Sequence, residues 1–81
     1  MGTIVYGKGG DLYLGYFPYE KPVSYWVKEG KKKGYKWMYK GFRRFLGIKD
    51  QVVVFDDCRW DEKEIKRRRN NGFLGIKVYQ L

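Results

Sequence analysis

The segment Gln51-Val52-Val53-Val54-Phe55 decides the fold of this 81-residue chain. It is a continuous apolar run rich in β-branched residues, which is typical of a strand buried on both faces of a sheet. The polar pair Asp56-Asp57 follows at once and predicts the end of the strand. A strand of this kind needs neighbours on both sides, so other parts of the chain are expected to pair with it and to cover it.

A helix and a second strand are expected to follow this segment. Asp61 and Glu64 have the spacing of a capping box, in which the first side chain accepts a hydrogen bond from the backbone of the second residue. The helix is expected to begin near Asp57 or Asp61 and to end at 70–72, where Asn-Asn-Gly is a typical C-terminal signal. Strand composition resumes over 73–79. These two strands should run parallel if they share a sheet, because such crossovers are right-handed.

The N-terminal part of the chain predicts short strands separated by turns. β-branched and aromatic residues favour strands, whereas glycine and proline favour turns and breaks. In one of these segments Val23, Tyr25 and Val27 alternate onto one face. The predicted elements are strands at 3–6, 12–17 and 23–28, a hairpin turn at 7–11, a break at 18–22 and a loop at 29–34.

Residues 35–46 fit two patterns. In a helix, apolar positions 35, 38, 39, 42, 45 and 46 form one stripe, and basic positions 36, 40, 43 and 44 lie opposite. In a strand, the alternation of aromatic and basic residues accounts for only the first half of the segment. The helical pattern explains more positions, so an amphipathic helix is expected, although Gly41 in its interior disfavours it.

These elements predict one α+β domain over residues 1–81. It consists of short antiparallel N-terminal strands, a basic amphipathic helix, and a strand–helix–strand unit on the same sheet. The length leaves no room for a second core. Aromatic residues make up 20% of the chain and supply the large apolar side chains that a domain of this size needs.

Positive charge is concentrated in one segment. The net charge is +9, and residues 28–49 carry nine Lys and Arg against the single acid Glu29. The residues before and after this segment are close to balanced. A concentrated positive segment selects polyanionic partners, of which nucleic acids are the most general.

The residues expected to bind a phosphate backbone lie mostly in this segment. Three lysines occupy the predicted loop, four cations form one face of the predicted helix, and the Arg run at 67–69 is an auxiliary cluster. Trp37 lies off the apolar stripe and is the expected exposed aromatic contact. The predicted nucleic-acid-binding residues are Lys31, Lys32, Lys33, Lys36, Trp37, Lys40, Arg43, Arg44, Arg67, Arg68 and Arg69.

The aromatic residues of this segment have two interpretations. In a helix, Tyr35, Tyr39, Phe42 and Phe45 face the sheet and build the core. In a strand, Tyr35, Trp37 and Tyr39 form one face and would be a stacking platform for unpaired bases. Core packing is the expected role, because a domain this rich in aromatics must bury most of them.

The pentapeptide Phe45-Leu46-Gly47-Ile48-Lys49 recurs as Phe73-Leu74-Gly75-Ile76-Lys77. A duplicated helix–strand unit is one explanation. Coincidence in a chain of narrow composition is the other.

The composition excludes several kinds of site. The chain has no histidine and one cysteine, Cys58, which excludes His-based catalysis, an internal disulfide and cysteine-rich zinc sites. No cofactor or metal is expected. The lone thiol, and the absence of an apolar span or a signal-like N-terminus, predict a cytoplasmic protein without a membrane partner.

One enzymatic alternative remains. Asp56 and Asp57 follow a buried strand, where α/β folds place Mg²⁺ ligands, and further acids stand at 61, 62 and 64. A Mg²⁺-dependent nuclease would use them. Helix capping and ion pairing are the simpler explanation of the same residues.

The function expected from these observations is that of a small non-enzymatic nucleic-acid-binding protein, with residues 28–49 on the phosphates. The alternative is an adaptor or inhibitor that docks on an acidic protein surface or a nucleoprotein complex. The sequence does not distinguish DNA from RNA, single strands from duplexes, or one oligomeric state from another.

Overall fold

The computed structural model describes residues 2–81 as a five-stranded mixed sheet with two helices, an α+β fold. A short 3-10 turn at Lys8–Gly10 connects the first two strands. The strands are β1 (Thr3–Gly7), β2 (Leu12–Phe17), β3 (Trp37–Phe45), β4 (Ile48–Asp56) and β5 (Phe73–Gln80), and the helices are α1 (Val23–Lys32) and α2 (Glu62–Asn70).

β4 is the central strand, in the order β2-β1-β4-β3-β5. Residues 51–55 are all buried, as the apolar run 52–55 predicts, and the polar Gln51 accepts a hydrogen bond of 2.9 Å from the Thr3 hydroxyl. β4 pairs parallel with β1 and antiparallel with β3, and β3 in turn pairs antiparallel with β5. β4 and β5 therefore run parallel, which confirms the expected direction, but β3 lies between them.

Two hydrophobic clusters cover opposite faces of the sheet, because successive strand side chains alternate between faces. On the α1 face, Trp26 packs against buried side chains that include Val53 and Phe55. On the α2 face, Trp60 and Ile65 pack against Val52 and other side chains of that face. Each helix thus covers one face, and consecutive residues of β4 supply both clusters.

The strand expected at 23–28 is wrong, since residues 23–32 form α1. The helical spacing of Val23, Trp26, Val27 and Gly30 prevails over the shorter alternation because Trp26 becomes fully buried against the sheet. A Cβ at Gly30 would lie 2.8 Å from the Phe55 ring, so the absence of a side chain lets the helix approach closely. The predicted loop at 29–34 is correspondingly shorter and begins after α1.

The basic amphipathic helix expected over 35–46 is also wrong, because residues 37–45 form β3. Met38 and Tyr39 are both fully buried although they point to opposite faces. This fits an interior strand of a sheet that is covered on both faces. Gly41 has a positional reason in this strand. A Cβ there would lie 2.5 Å from the Phe73 ring, which packs over the bare backbone.

The remaining elements follow the sequence closely. The strands at 3–6, 12–17 and 73–79 are present with small changes at their ends. The Asp61 side chain accepts a hydrogen bond of 2.8 Å from the Glu64 backbone and caps α2, as the capping-box spacing predicts. Between residues 2 and 81 no helix has the length and apolar character needed to cross a bilayer.

Candidate functional site

Four cations lie together on the half of the α1 face that α1 leaves uncovered. Strand alternation from buried Met38 places Lys40 and Arg44 of β3 on this face, and their cross-strand partners Lys77 and Lys49 lie there too. Lys40 is half-buried and the other three are exposed. We refer to Lys40, Arg44, Lys49 and Lys77, with Phe42 among them, as the basic patch.

The cations of the basic patch stand opposite one another in pairs of like charge. Lys40 is directly opposite Lys77, and Arg44 is directly opposite Lys49. Residues opposed in this way have Cβ atoms about 4.5–5.5 Å apart, and like charges at that distance destabilise a sheet.

No acidic side chain relieves this repulsion. The two acids in β3, β4 and β5, Asp50 and Asp56, lie opposite Arg43 and Trp37, on the α2 face. Within residues 2–81, every salt bridge is formed inside α2. The basic patch therefore holds four uncompensated positive charges.

Phe42 gives the basic patch an apolar floor. The Lys49 Nζ atom lies 4.4 Å from the centroid of the Phe42 ring, and the Lys40 Nζ atom lies 5.9 Å from it. A pocket of about 210 Å³ opens here, lined by Phe42, Arg44, Lys49, Leu74 and Gly75. The surface combines cations with a half-buried aromatic ring, and cations beside aromatic rings are typical of surfaces that bind nucleic acids.

The β3–β4 hairpin projects beyond the sheet next to the basic patch. Pairing of β3 with β5 ends at Arg43, and pairing of β4 with β1 ends at Gln51. Residues 44–49 therefore form a two-stranded ribbon without neighbours in the sheet. We call residues 45–48 the hairpin tip, in which Phe45 is 72%, Leu46 84% and Ile48 55% exposed.

Arg43 does not lie with Arg44, contrary to the helical prediction of one basic face. Strand alternation turns Arg43 to the α2 face, opposite Asp50. Its guanidinium donates a hydrogen bond of 3.3 Å to the Tyr6 hydroxyl. The four cations expected on one helix face are thus divided between the two faces of a strand.

The lysines expected in the loop lie at the other end of the sheet. Lys31 and Lys32 end α1, and Lys33 is its C-cap. At about 3.3 Å per residue, Lys36 and Arg44 are separated by roughly 26 Å along the chain direction. Lys31, Lys32, Lys33 and Lys36 are exposed but are not part of the basic patch.

A stacking platform of Tyr35, Trp37 and Tyr39 is not present. Tyr39 is fully buried, and its ring stacks on Trp60 with centroids 3.9 Å apart. Tyr35 is half-buried against Phe55, and Trp37 is half-buried with the Arg59 guanidinium 5.7 Å from its ring. The core role expected of Tyr39 is confirmed, whereas the core role expected of Phe45 is wrong.

Tyr39 also anchors the loop that leads into α2. Its hydroxyl donates to the Cys58 carbonyl at 2.7 Å and accepts from the Trp60 backbone at 2.6 Å. Burial raises the pKa of this hydroxyl, so it stays protonated. Tyr39 is therefore structural and does not touch a ligand surface.

The arginines at 67–69 lie on α2, in a different layer from the basic patch. Arg67 and Arg68 donate to the Glu64 carboxylate at 2.7 and 2.9 Å, and they lower its pKa to about 2. Arg68 also donates to the Gly9 carbonyl and lies 4.6 Å from the Trp60 ring. Two of these arginines thus stabilise the fold, and Arg69 is exposed.

Asp56 and Asp57 are held by local hydrogen bonds. Asp56 accepts from the Trp60 indole at 3.0 Å with one oxygen and from the Asp57 backbone at 2.8 Å with the other. Across the described part of the chain, no three His, Cys, Asp or Glu side chains are grouped so that they could hold a metal ion.

Two residues of the basic patch are not among the predicted contacts. Lys49 lies within the predicted binding segment 28–49 but is not one of its individually named contacts, and Lys77 lies in a segment of balanced charge. The repeated pentapeptide is the signal that connects them. Lys49 and Lys77 end its two copies, and both lie on the α1 face. The first copy forms a hairpin turn, so the two copies are not a duplicated helix–strand unit.

Comparisons with protein-family models, with curated proteins and with solved structures give no match.

Proposed function

We propose that this protein binds nucleic acid non-enzymatically, through contacts between the phosphate backbone and the basic patch. The observation that carries the proposal is the presence of two cross-strand pairs of like charge, Lys40 with Lys77 and Arg44 with Lys49. Each pair destabilises the free protein, and an anion bound between the two cations would relieve the repulsion. A bound polyanion would relieve both pairs together.

The spacing of the two pairs suits an extended polyanion. Arg44 is four residues from Lys40 along β3, which corresponds to roughly 13 Å at about 3.3 Å per residue. A single small anion cannot span that distance, whereas a chain of phosphates can. Phe42 lies between the pairs and offers a flat apolar surface to a base or sugar next to the phosphates.

The lysines of α1 extend the same electrostatic field. Lys31, Lys32 and Lys33 are exposed on the helix that covers the other half of this face. Their distance from the basic patch gives them a steering role, in which they raise the rate of encounter with a polyanion. The exposed free thiol of Cys58 fits a reducing, cytoplasmic setting for the protein.

An acidic protein surface is the alternative partner, and fluorescence anisotropy separates it from nucleic acid. Labelled single strands and duplexes of DNA and RNA are titrated with the protein at low salt and then at increasing salt. The variant Lys49→Gln/Lys77→Gln is expected to bind more weakly, and on duplex its slope of log K against log[salt] falls by about 1.8.

The variant Lys63→Gln/Lys66→Gln is the matched control, because it removes the same charge from exposed positions of α2. It should bind nearly as tightly as the parent protein. The proposal is refuted if no nucleic acid binds at low salt, or if both variants lose affinity equally. In the first case an acidic protein becomes the preferred partner.

A further inference from the structure

The hairpin tip exposes apolar side chains that the fold does not use. Phe45 and Leu46 are 72% and 84% exposed, and no residue of either hydrophobic cluster comes from the tip. A protruding two-stranded ribbon would be more soluble with polar residues at its end. The apolar side chains therefore need an explanation outside the folding of this domain.

The backbone conformation of the tip also disfavours its apolar side chains. The two-residue turn has positive φ at both positions, 51° at Leu46 and 78° at Gly47. Turns of this kind favour Asn-Gly, because a side chain such as leucine is strained at positive φ. Leu46 is both strained and exposed, so its side chain lowers the free energy of unfolding without contributing to the core.

Cations stand on both sides of the hairpin tip. Arg44 and Lys49 lie directly behind it on the α1 face, whereas Arg43 lies one residue further back on the α2 face, opposite Asp50. The two residue pairs of the ribbon extend roughly 7 Å beyond the sheet, at about 3.3 Å per residue. An apolar point with two uncompensated cations directly behind it matches a base step next to a phosphate backbone.

We propose that the hairpin tip is a wedge that inserts Phe45 and Leu46 into a base step of a bound duplex. Arg44 and Lys49 contact the phosphates next to that step. Apolar wedges of this kind unstack neighbouring bases and kink the duplex. The inference rests on the proposed function and specifies it, since it makes a deformable duplex the ligand.

An anionic membrane is the competing partner for such a tip. A membrane would receive the tip and the cations beside it, but it would leave Lys40 and Lys77 facing water. Lys40 lies further back on the same face, in line with Arg44 along β3, and Lys77 lies opposite Lys40 on β5. A duplex that meets the tip can continue along this row, so the charge distribution favours nucleic acid.

The experiment uses DNA and RNA duplexes that carry 2-aminopurine, whose fluorescence rises when it is unstacked. Binding is followed by anisotropy on the same samples. The test variant is Phe45→Ser/Leu46→Asn, and the control is Leu12→Asn/Tyr16→Ser, which removes an exposed aliphatic and an exposed aromatic side chain from β2.

The parent protein and the control are expected to raise the fluorescence, and the test variant is not. The test variant should also bind about tenfold more weakly, since one lost stacking contact corresponds to roughly that factor. Leu46→Asn alone should raise the melting temperature by about 2–6 °C, because asparagine suits positive φ. Because Phe45 is 72% exposed, the test variant should melt close to the parent, and a loss of binding by a folded test variant is then not due to unfolding.

The outcomes separate the two proposals. If the parent and the test variant bind duplex equally and neither changes the fluorescence, the wedge is refuted while nucleic-acid binding stands. If neither binds any duplex at low salt, the wedge is refuted; if single strands do not bind either, nucleic-acid binding fails as well. Two other results would overturn the wedge. If the parent co-sediments with phosphatidylserine vesicles and only the test variant does not, the tip binds a membrane. If the parent self-associates with rising concentration and only the test variant does not, the tip binds a second copy.

Discussion

Replacing Lys77 with glutamate should make the protein more stable and a weaker binder. Lys77 stands directly opposite Lys40 in the β3–β5 ladder, and no salt bridge involves either side chain. The substitution converts a repulsive cross-strand pair into an attractive one. A change of this kind contributes about 0.5–1 kcal/mol, with screening by solvent keeping it at the lower end.

Thermal unfolding measures the stability. For a domain of this size, that change in free energy corresponds to a rise of about 2–8 °C in the melting temperature. The rise should shrink at high salt, because screening weakens both the repulsion in the parent and the attraction in the variant. Anisotropy measures the binding, and Lys77→Glu should lower the affinity for nucleic acid by about tenfold at moderate salt.

The matched control is Lys63→Glu, which makes the same change in net charge at an exposed position of α2. It should leave the affinity almost unchanged. The reasoning is refuted if Lys77→Glu lowers the melting temperature, or if it binds nucleic acid as tightly as Lys63→Glu does.

Three further substitutions test the account of the fold. Tyr39→Phe should lower the free energy of unfolding by about 1–3 kcal/mol, because the Cys58 carbonyl loses its donor and the Trp60 N–H its acceptor in a buried site; equal midpoints in urea denaturation would contradict this. Gly41→Ala should cost about 1–3 kcal/mol, since its Cβ would lie 2.5 Å from the Phe73 ring and 2.7 Å from the Leu74 carbonyl. The double variant Gly41→Ala/Phe73→Leu should recover only part of the lost free energy of unfolding, because the Leu74 carbonyl still lies close to the new Cβ. Full recovery would show that the Phe73 ring alone causes the clash. Glu64→Gln concerns acid stability. The pKa of Glu64 falls from 4.5 to about 2 on folding, so its ion pairs stabilise the protein above pH 4.5 and are lost as the pH falls towards 2. Over that window the parent should lose about 1 kcal/mol more than Glu64→Gln, after allowance for partial exposure; parallel pH profiles of the two proteins would be inconsistent with it.

The sequence predicts the parts of this fold that have one dominant pattern. Residues 52–55 are apolar at every position, which fits a strand buried on both faces and little else. The capping box at Asp61 is equally specific, because it is formed by residues within one turn of each other. These elements are present where the sequence places them.

The two misassigned segments carry patterns that fit both a helix and a strand. Residues 23–28 and 35–46 are short and mix aromatic with β-branched or basic residues, so apolar positions recur at either period. Pairing partners that are distant in sequence decide between them. Residues 37–45 form the strand β3 because β4 and β5 hydrogen-bond to its two edges. The Phe73 ring packs over Gly41, where a side chain would clash.

The candidate site could be predicted in part for the same reason. The basic segment identifies Lys40 and Arg44 correctly as neighbours on one face, because positions four apart share a face in both a helix and a strand. Arg43 is assigned to the wrong face because positions three apart, such as Lys40 and Arg43, share a face in a helix but not in a strand. Lys77 joins the site through sheet pairing alone, which charge density along the sequence does not reveal.

The salt dependence of binding decides whether the basic patch contacts phosphates. If the four cations of the basic patch each neutralise a phosphate, log K for a duplex should fall with log[salt] with a slope of about −3 to −4, at about −0.9 per contact. The variant that lacks Lys49 and Lys77 should show about half that slope. A slope near zero, or no binding to any nucleic acid at low salt, would contradict the account.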